Sequence, residues 1–237
     1  MNTTRNPGRV VGLIYLVLAI LAPIRLMYIP NKIFVSGDAT ATAQNIAAHE
    51  LLYRFGIFTD LCCGVILIFL TLALYRLFVG VNRNAVVLLV IFGGVIPATI
   101  DFVNTFNDSA ALLLVGGADY LSAFDEAQRH ALAYFFTRLH HQVIVSAEIL
   151  WGLWLWPLAF LSYRSNFMPK FIAVWLYING AAYLIVSMTG RFLPEYESTV
   201  FNLATPAMLG ELAFTLWLLI KGARPPASDA TPAAVAA

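Results

Sequence analysis

The chain has 237 residues, 60% hydrophobic and only 11% charged, with a net charge of +1 and a mean hydropathy of +0.79. Soluble domains carry about 25% charged and about 45–50% apolar residues, so this composition excludes a water-soluble enzyme and equally a disordered chain. Two adjacent cysteines, Cys62 and Cys63, exclude a disulfide scaffold, and the near-neutral charge offers no field for nucleic acid.

What remains is an integral membrane protein, with the lipid bilayer as its first partner. About 20 mostly apolar residues cross the hydrocarbon core as a helix. Six segments meet that requirement, at roughly 10–29, 56–78, 85–106, 141–163, 167–188 and 203–220. None alternates with the period of two that a barrel strand needs. The expected class is all-α: a polytopic bundle of six transmembrane helices forming one domain over residues 1–222.

In chain order, the first span follows Arg5 and Arg9. Its apolar run is too long for a signal-peptide core and no A-x-A site follows, so it is expected to stay uncleaved. The connection at 30–55 turns helical from Thr40 and runs on into the second span, where Cys62 and Cys63 read as inert buried thiols. Gly93, Gly94 and Pro97 mark a flexible or close-packed point in the third span. In the connection at 107–140, Ser122 before Asp125 resembles a capping box, and Leu132, Phe135, Phe136 and Leu139 recur at helical spacing. This stretch, 122–139, is expected to be an extracytoplasmic amphipathic helix that continues into the fourth span. Trp151, Trp154 and Trp156, beside Pro157, read as packing or lipid-facing residues. The Pro- and Ala-rich tail, 223–237, reads as disordered.

Charge sets the orientation. With six spans, both termini share one side with the loops near Asn82 and Asn166. That side carries eight bases and one acid, +7, whereas the remainder carries six bases and twelve acids, −6. The positive-inside rule places both termini in the cytoplasm and the two long connections outside. The expected location is a bacterial cytoplasmic membrane.

Ionisable groups inside spans cost roughly 2.5–3.5 kcal/mol each on insertion scales and usually face the bundle interior. Here they gather in the outer half. Arg25 lies near the end of span one; Arg54 and Asp60 open span two; Asp101 and Asn104 close span three on one face. His140, His141 and Glu148 open span four, Ser187 and Arg191 close span five, and Asn179 and Glu211 sit near mid-span in the fifth and sixth. The expectation is a polar cavity open to the outside and lined by ion pairs. The ligand-binding candidates are Arg54, Asp60, Asp101, Asn104, His140, His141, Glu148, Arg191 and Glu211. The plainer reading is that Arg25, Arg54 and Arg138 snorkel to headgroups and that the remaining pairs only hold the bundle together. No phosphate-binding, nucleophile-elbow or paired-cysteine motif is present, and no cofactor is indicated. A metal site would have to draw ligands from several helices, for example His141 with Asp60 or Asp101.

Several strings in order resemble one family. They are Gly37-Asp38-Ala39-Thr40, Tyr53-Arg54-Phe55-Gly56 with Asp60-Leu61, Leu74-Tyr75-Arg76-Leu77, Arg138-Leu139-His140 and Gly152-Leu153-Trp154-Leu155-Trp156-Pro157. Arg164-Ser165-Asn166-Phe167-Met168-Pro169 and Pro206-Ala207-Met208-Leu209-Gly210-Glu211 complete the set. Together they resemble the domain-of-unknown-function 4386 family of bacterial integral membrane proteins, a resemblance that implies multiple spans and carries no catalytic residue. Three functions stay open. The first is binding or transport of a small molecule or lipid through the outer cavity. The others are a structural or assembly role, and a metal-dependent intramembrane enzyme. Oligomeric state is left open by the sequence.

Overall fold

The computed structural model describes residues 6–224, and among these there is helix and no strand. Helix α1 (Pro7–Pro23) passes through a π-helical turn (Ile24–Tyr28) into α2 (Ile29–Ile33). Then come α3 (Ala39–Ala48), α4 (Glu50–Phe78) and α5 (Arg83–Val90). A second π-helical turn (Ile91–Val95) joins α5 to α6 (Ile96–Gly116). They are followed by α7 (Glu126–Arg164), α8 (Lys170–Phe192), α9 (Glu197–Met208) and α10 (Gly210–Ile220). Six helical runs are long and apolar enough to cross a membrane, the architecture of a multi-pass membrane protein. Residues 225–237, most of the tail expected to be disordered, lie outside the described residues.

Both π-helical turns precede the same step, Ile29-Pro30 and Ile96-Pro97. A proline lacks the N–H its turn requires and presses on the carbonyl four residues back. Widening one turn relieves that clash. The N–H of Ile29 then bonds the Ile24 carbonyl, and that of Ile96 the Ile91 carbonyl, each five residues back. The first wide turn carries Arg25.

Helix starts are chemically marked. Asn6, Asp38 and Asn82 each accept from backbone N–H groups of the first turn that follows. Asp125 and Gln128 form a capping box, so the box at the start of α7 lies three residues beyond the expected Ser122–Asp125 pair. From there α7 runs unbroken for 39 residues, confirming that the surface stretch continues into the fourth span. Its half-buried Leu132 and Phe136 pack against the cluster of Ile29, Ile46 and Tyr53, while Phe135 and Leu139 stay exposed. The helix expected to run from Thr40 into the second span breaks at His49, and the sixth breaks at Leu209.

The runs neighbour one another in chain order, and α1 closes the ring against α10. At the end holding the termini, the Ala223 N–H donates to Asn6 Oδ1 (2.9 Å) and the Gly8 N–H to the Ala223 carbonyl (2.9 Å). The half of the bundle near that end is apolar, with Leu74, Phe78, Leu155, Leu158 and Phe214 fully buried. Outward-facing side chains are apolar too, including Leu13, Phe58, Phe69, Phe171 and Leu203. Charge inside and hydrocarbon outside invert the pattern of a soluble domain.

Helices α7 and α8 approach closely because two glycines face each other. A Cβ on Gly152 would lie 2.7 Å from the Gly180 carbonyl oxygen, and one on Gly180 2.8 Å from the Gly152 oxygen. Likewise, Gly93 accepts the Trp154 ring and Gly94 the Thr71 side chain, so the third span is close-packed at this point. Overpacking of this kind costs about 1–3 kcal/mol. Gly152→Ala should therefore lower the unfolding midpoint in detergent measurably. Gly116→Ala, whose Cβ meets nothing within 4 Å, should leave it unchanged.

Candidate functional site

Four helical runs converge on one charged centre at the end of the bundle away from the termini. Arg25 enters from the π-helical turn, Tyr53 and Asp60 from α4, Asn104 and Asp108 from α6, and His140 from α7. Tyr53, Gly56 and Asp60 share a helical face, spaced three and four residues apart. Gly56 leaves room for the arginine stem: a Cβ there would lie 3.6 Å from Arg25 Cδ and 3.2 Å from Ile29 Cδ1.

Arg25 Nε donates to Asp60 Oδ2 at 2.7 Å and Nη2 to Asp108 Oδ2 at 2.5 Å. The same Nη2 lies 2.8 Å from His140 Nε2. His140 Nδ1 is 3.2 Å from Asp108 Oδ2, and the Tyr53 hydroxyl donates to Asp108 Oδ1 at 3.0 Å. A single neutral tautomer satisfies both imidazole contacts: Nδ1–H donates to Asp108 while Nε2 accepts from Arg25. Asn104 Nδ2 donates to the His140 backbone carbonyl at 3.3 Å and ties α6 to α7. The charged members are closed over, with Arg25 7%, Asp60 8%, Asp108 3% and His140 7% exposed.

This closure corrects the expected open basin. The charges meet one another instead of water, because an ion held in a low-dielectric interior needs a partner at contact distance. Two grooves at the surface are apolar, one lined by residues such as Leu88, Phe92 and Trp156, the other by Ile14, Val17, Ile66 and Phe69.

Of the candidates, Asp60, Asn104 and His140 meet in the centre. Arg54 does not: it pairs with Glu50 one turn away (2.7 Å) on the exposed surface of α4. Arg138 also lies outside it, 5.6 Å over the Phe34 ring. Asp101 is half-buried about two helical turns before Asp108 on α6 and has no ion pair among the described residues. His141 points away from its neighbour, as adjacent helical residues must, and its Nε2 meets Glu197 Oε1 at 3.1 Å. The potential metal-ligand trio is therefore Asp60, Asp108 and His140, whose ligand atoms lie within 4.8 Å of one another, and not a set built on His141. Arg191 bonds Gln142 Oε1 (3.2 Å) and Ser146, bracing α8 against α7. Glu148 is buried apart from the centre, and Glu211 receives the Tyr15 hydroxyl and Asn179 Nδ2 (3.2 Å).

Sequence reasoning missed Asp108, Tyr53 and Glu197. Asp108 was reachable, since Asp101, Asn104 and Asp108 fall at i, i+3 and i+7, and no helix breaker occurs before Gly116-Gly117. Cutting the span at Phe106, where apolarity falls, removed Asp108 from the face it belongs to.

Deleting one partner of a buried pair leaves an uncompensated charge and costs about 3–5 kcal/mol. An exposed i,i+4 pair is worth only about 0.3–0.5 kcal/mol. Arg25→Ala should thus unfold at far lower temperature than wild type, whereas Arg54→Ala should be nearly silent in the same detergent melt.

With this geometry established, comparison with known proteins is informative. A stretch of 82 residues, 35% of this chain, is 27% identical to an Archaeoglobus fulgidus protein described as "Uncharacterized protein". The match covers 48% of that relative, so the chain spans about half its length. No solved structure matches the chain. The family described as Domain of unknown function (DUF4386) matches residues 10–222, nearly the whole chain. The chain belongs to this family, Domain of unknown function (DUF4386).

Proposed function

We propose that the protein binds, and by that means transports, a small cationic solute at the Arg25–Asp60–Asp108–His140 centre. The observation that carries this reading is the donor set: carboxylate oxygens of Asp60 and Asp108 and a ring nitrogen of His140 lie within 4.8 Å of one another. Arg25 holds both carboxylates, and the His140 ring meets Arg25 and Asp108 at the same place. An incoming cation would take the Asp60 and Asp108 carboxylate oxygens from Arg25, together with the His140 nitrogen. A metal ion or an organic ammonium fits that donor set; an anion does not, because both carboxylates already oppose it.

Several features support exchange at this place. Arg25 stands on a wide helical turn, a geometry frequent at functional sites. The hydrogen bonds that would break are reformed by the entering ligand. The orientation belongs to the same proposal. The end carrying Arg9, Arg76, Arg83, Arg164 and Lys170 is cytoplasmic by the positive-inside rule, so the centre loads from the extracytoplasmic side of a bacterial cytoplasmic membrane.

The test is a thermal melt of the detergent-purified full chain with zinc chloride, magnesium chloride and ethylammonium chloride, and sodium phosphate as the anionic control. A bound cation at 100 times its Kd adds about 2.7 kcal/mol, so at least one of the three should raise Tm. Asp60→Asn and Asp108→Asn should each remove that rise. A response to phosphate alone, or to none of the salts, would leave the centre as a structural clamp. So would a rise retained in both variants.

A further inference from the structure

A second polar group lies between α7, α8, α9 and α10, away from the charged centre. Glu148 is 8% exposed and its Oε2 has no hydrogen-bond partner; Asn179 is fully buried and its Oδ1 has none either. Both atoms are acceptors short of a donor. Buried polar atoms left over by the protein are commonly completed by internal water. Tyr183 lies one turn beyond Asn179 on the same face of α8, and its ring packs edge-on, 5.7 Å between centroids, against Trp151, one turn beyond Glu148 on α7.

One side of this group leads to the surface. Glu197 holds His141 at 3.1 Å beside Val145, one turn before Glu148 on α7, and the His141 side chain is 42% exposed. Gly190 makes the space for Glu197: a Cβ there would lie 3.3 Å from Glu197 Cδ. The other side ends in mid-bundle. Glu211 is faced by Tyr15 from α1 and by Asn179 and Tyr183 from α8. Beyond it the Tyr15 ring packs on Trp154 and Phe214 in the apolar core. The nearby cations stay at the surface end, Arg191 on Gln142 and Ser146, and Arg138 beside His141.

We propose that these groups form a proton path from the His141–Glu197 pair to Glu211, carried by waters seated on Glu148 Oε2 and Asn179 Oδ1. A proton from surface water enters on the Glu197 carboxylate and passes to the water at Glu148. Glu148 takes it on one oxygen and releases a proton toward Tyr183. The Tyr183 hydroxyl accepts that proton and gives up its own to the water on Asn179, which passes a proton to the Glu211 carboxylate. One proton enters, one arrives, and no electron moves. The apolar core beyond Tyr15 makes Glu211 a terminus, so the path loads a buried carboxyl from one face and does not conduct across the bundle. None of these steps uses the Arg25 centre, so this proposal stands or falls apart from the cation-binding reading.

Infrared spectroscopy of the full chain in lipid bilayers tests it. The Glu211 carboxyl C=O band is assigned by its disappearance in Glu211→Gln during an acid titration, and its deuterium shift is timed on transfer to D2O. Glu148→Gln should slow that shift at least ~10-fold. Glu197→Gln, nearer the surface, should slow it too, and serves if the first variant does not fold. No protonated Glu211 band at any pH would overturn the path. So would exchange at the wild-type rate in the variants that fold.

Discussion

Everything at one end of this bundle follows from the cost of keeping an arginine out of water. A guanidinium inside hydrocarbon needs contact partners on several of its donors at once. Arg25 finds them on three other helical runs: Asp60 on α4, Asp108 on α6 and His140 on α7. Four runs are thereby tied at one height by charge-assisted bonds. In a membrane the hydrophobic effect does little to hold helix against helix, so directional contacts of this kind, with close glycine contacts, set which faces meet. Gly152 against Gly180 performs that task for α7 and α8, and Gly93 and Gly94 for the third span.

The local chemistry of the chain prepares the centre. Pro30 forces the turn before it to widen, and the widened turn is the one that carries Arg25. Gly56 then clears the surface of α4 where the arginine stem passes. The same Ile-Pro device recurs at Pro97, where the wide turn instead seats Gly93 and Gly94 against Trp154 and Thr71. One covalent feature, a missing N–H, thus serves a charged contact in one helix and close apolar packing in another.

Much of this is legible in the sequence, for definable reasons. Apolar runs near 20 residues can hardly be anything but spans, so six helices and the enclosing family resemblance both hold. Ionisable residues within such runs are costly unless buried and paired, and of the nine candidates the structure brings Asp60 and His140 together, with Asn104 beside them. The errors lie where hydropathy and helix geometry part company. Asp108 sits past the apolar stretch but before the helix ends, so a reading by apolarity loses it. His140 and His141 are equivalent in sequence, and only the rotation of α7 decides that the first meets Arg25 and the second Glu197. Arg54 and Arg138 do lie at the surface as snorkelling predicts, but Arg25 does not, because three partners outcompete headgroups for it. A charged interior suggested an open cavity; the charges closed on each other instead.

The question that matters most is whether the centre exists to bind or only to bind helices together. Replacing all three charges by neutral residues of similar volume, Arg25→Met with Asp60→Asn and Asp108→Asn, separates the two. Such replacements are often neutral or stabilising when a buried ion cluster is purely structural. The decisive measurement is calorimetric titration of this folded triple variant, beside wild type, with the cation that stabilises the wild-type chain. A binding centre predicts heat of binding in the wild type and none in the variant, with the fold retained. Equal binding by both proteins would contradict it.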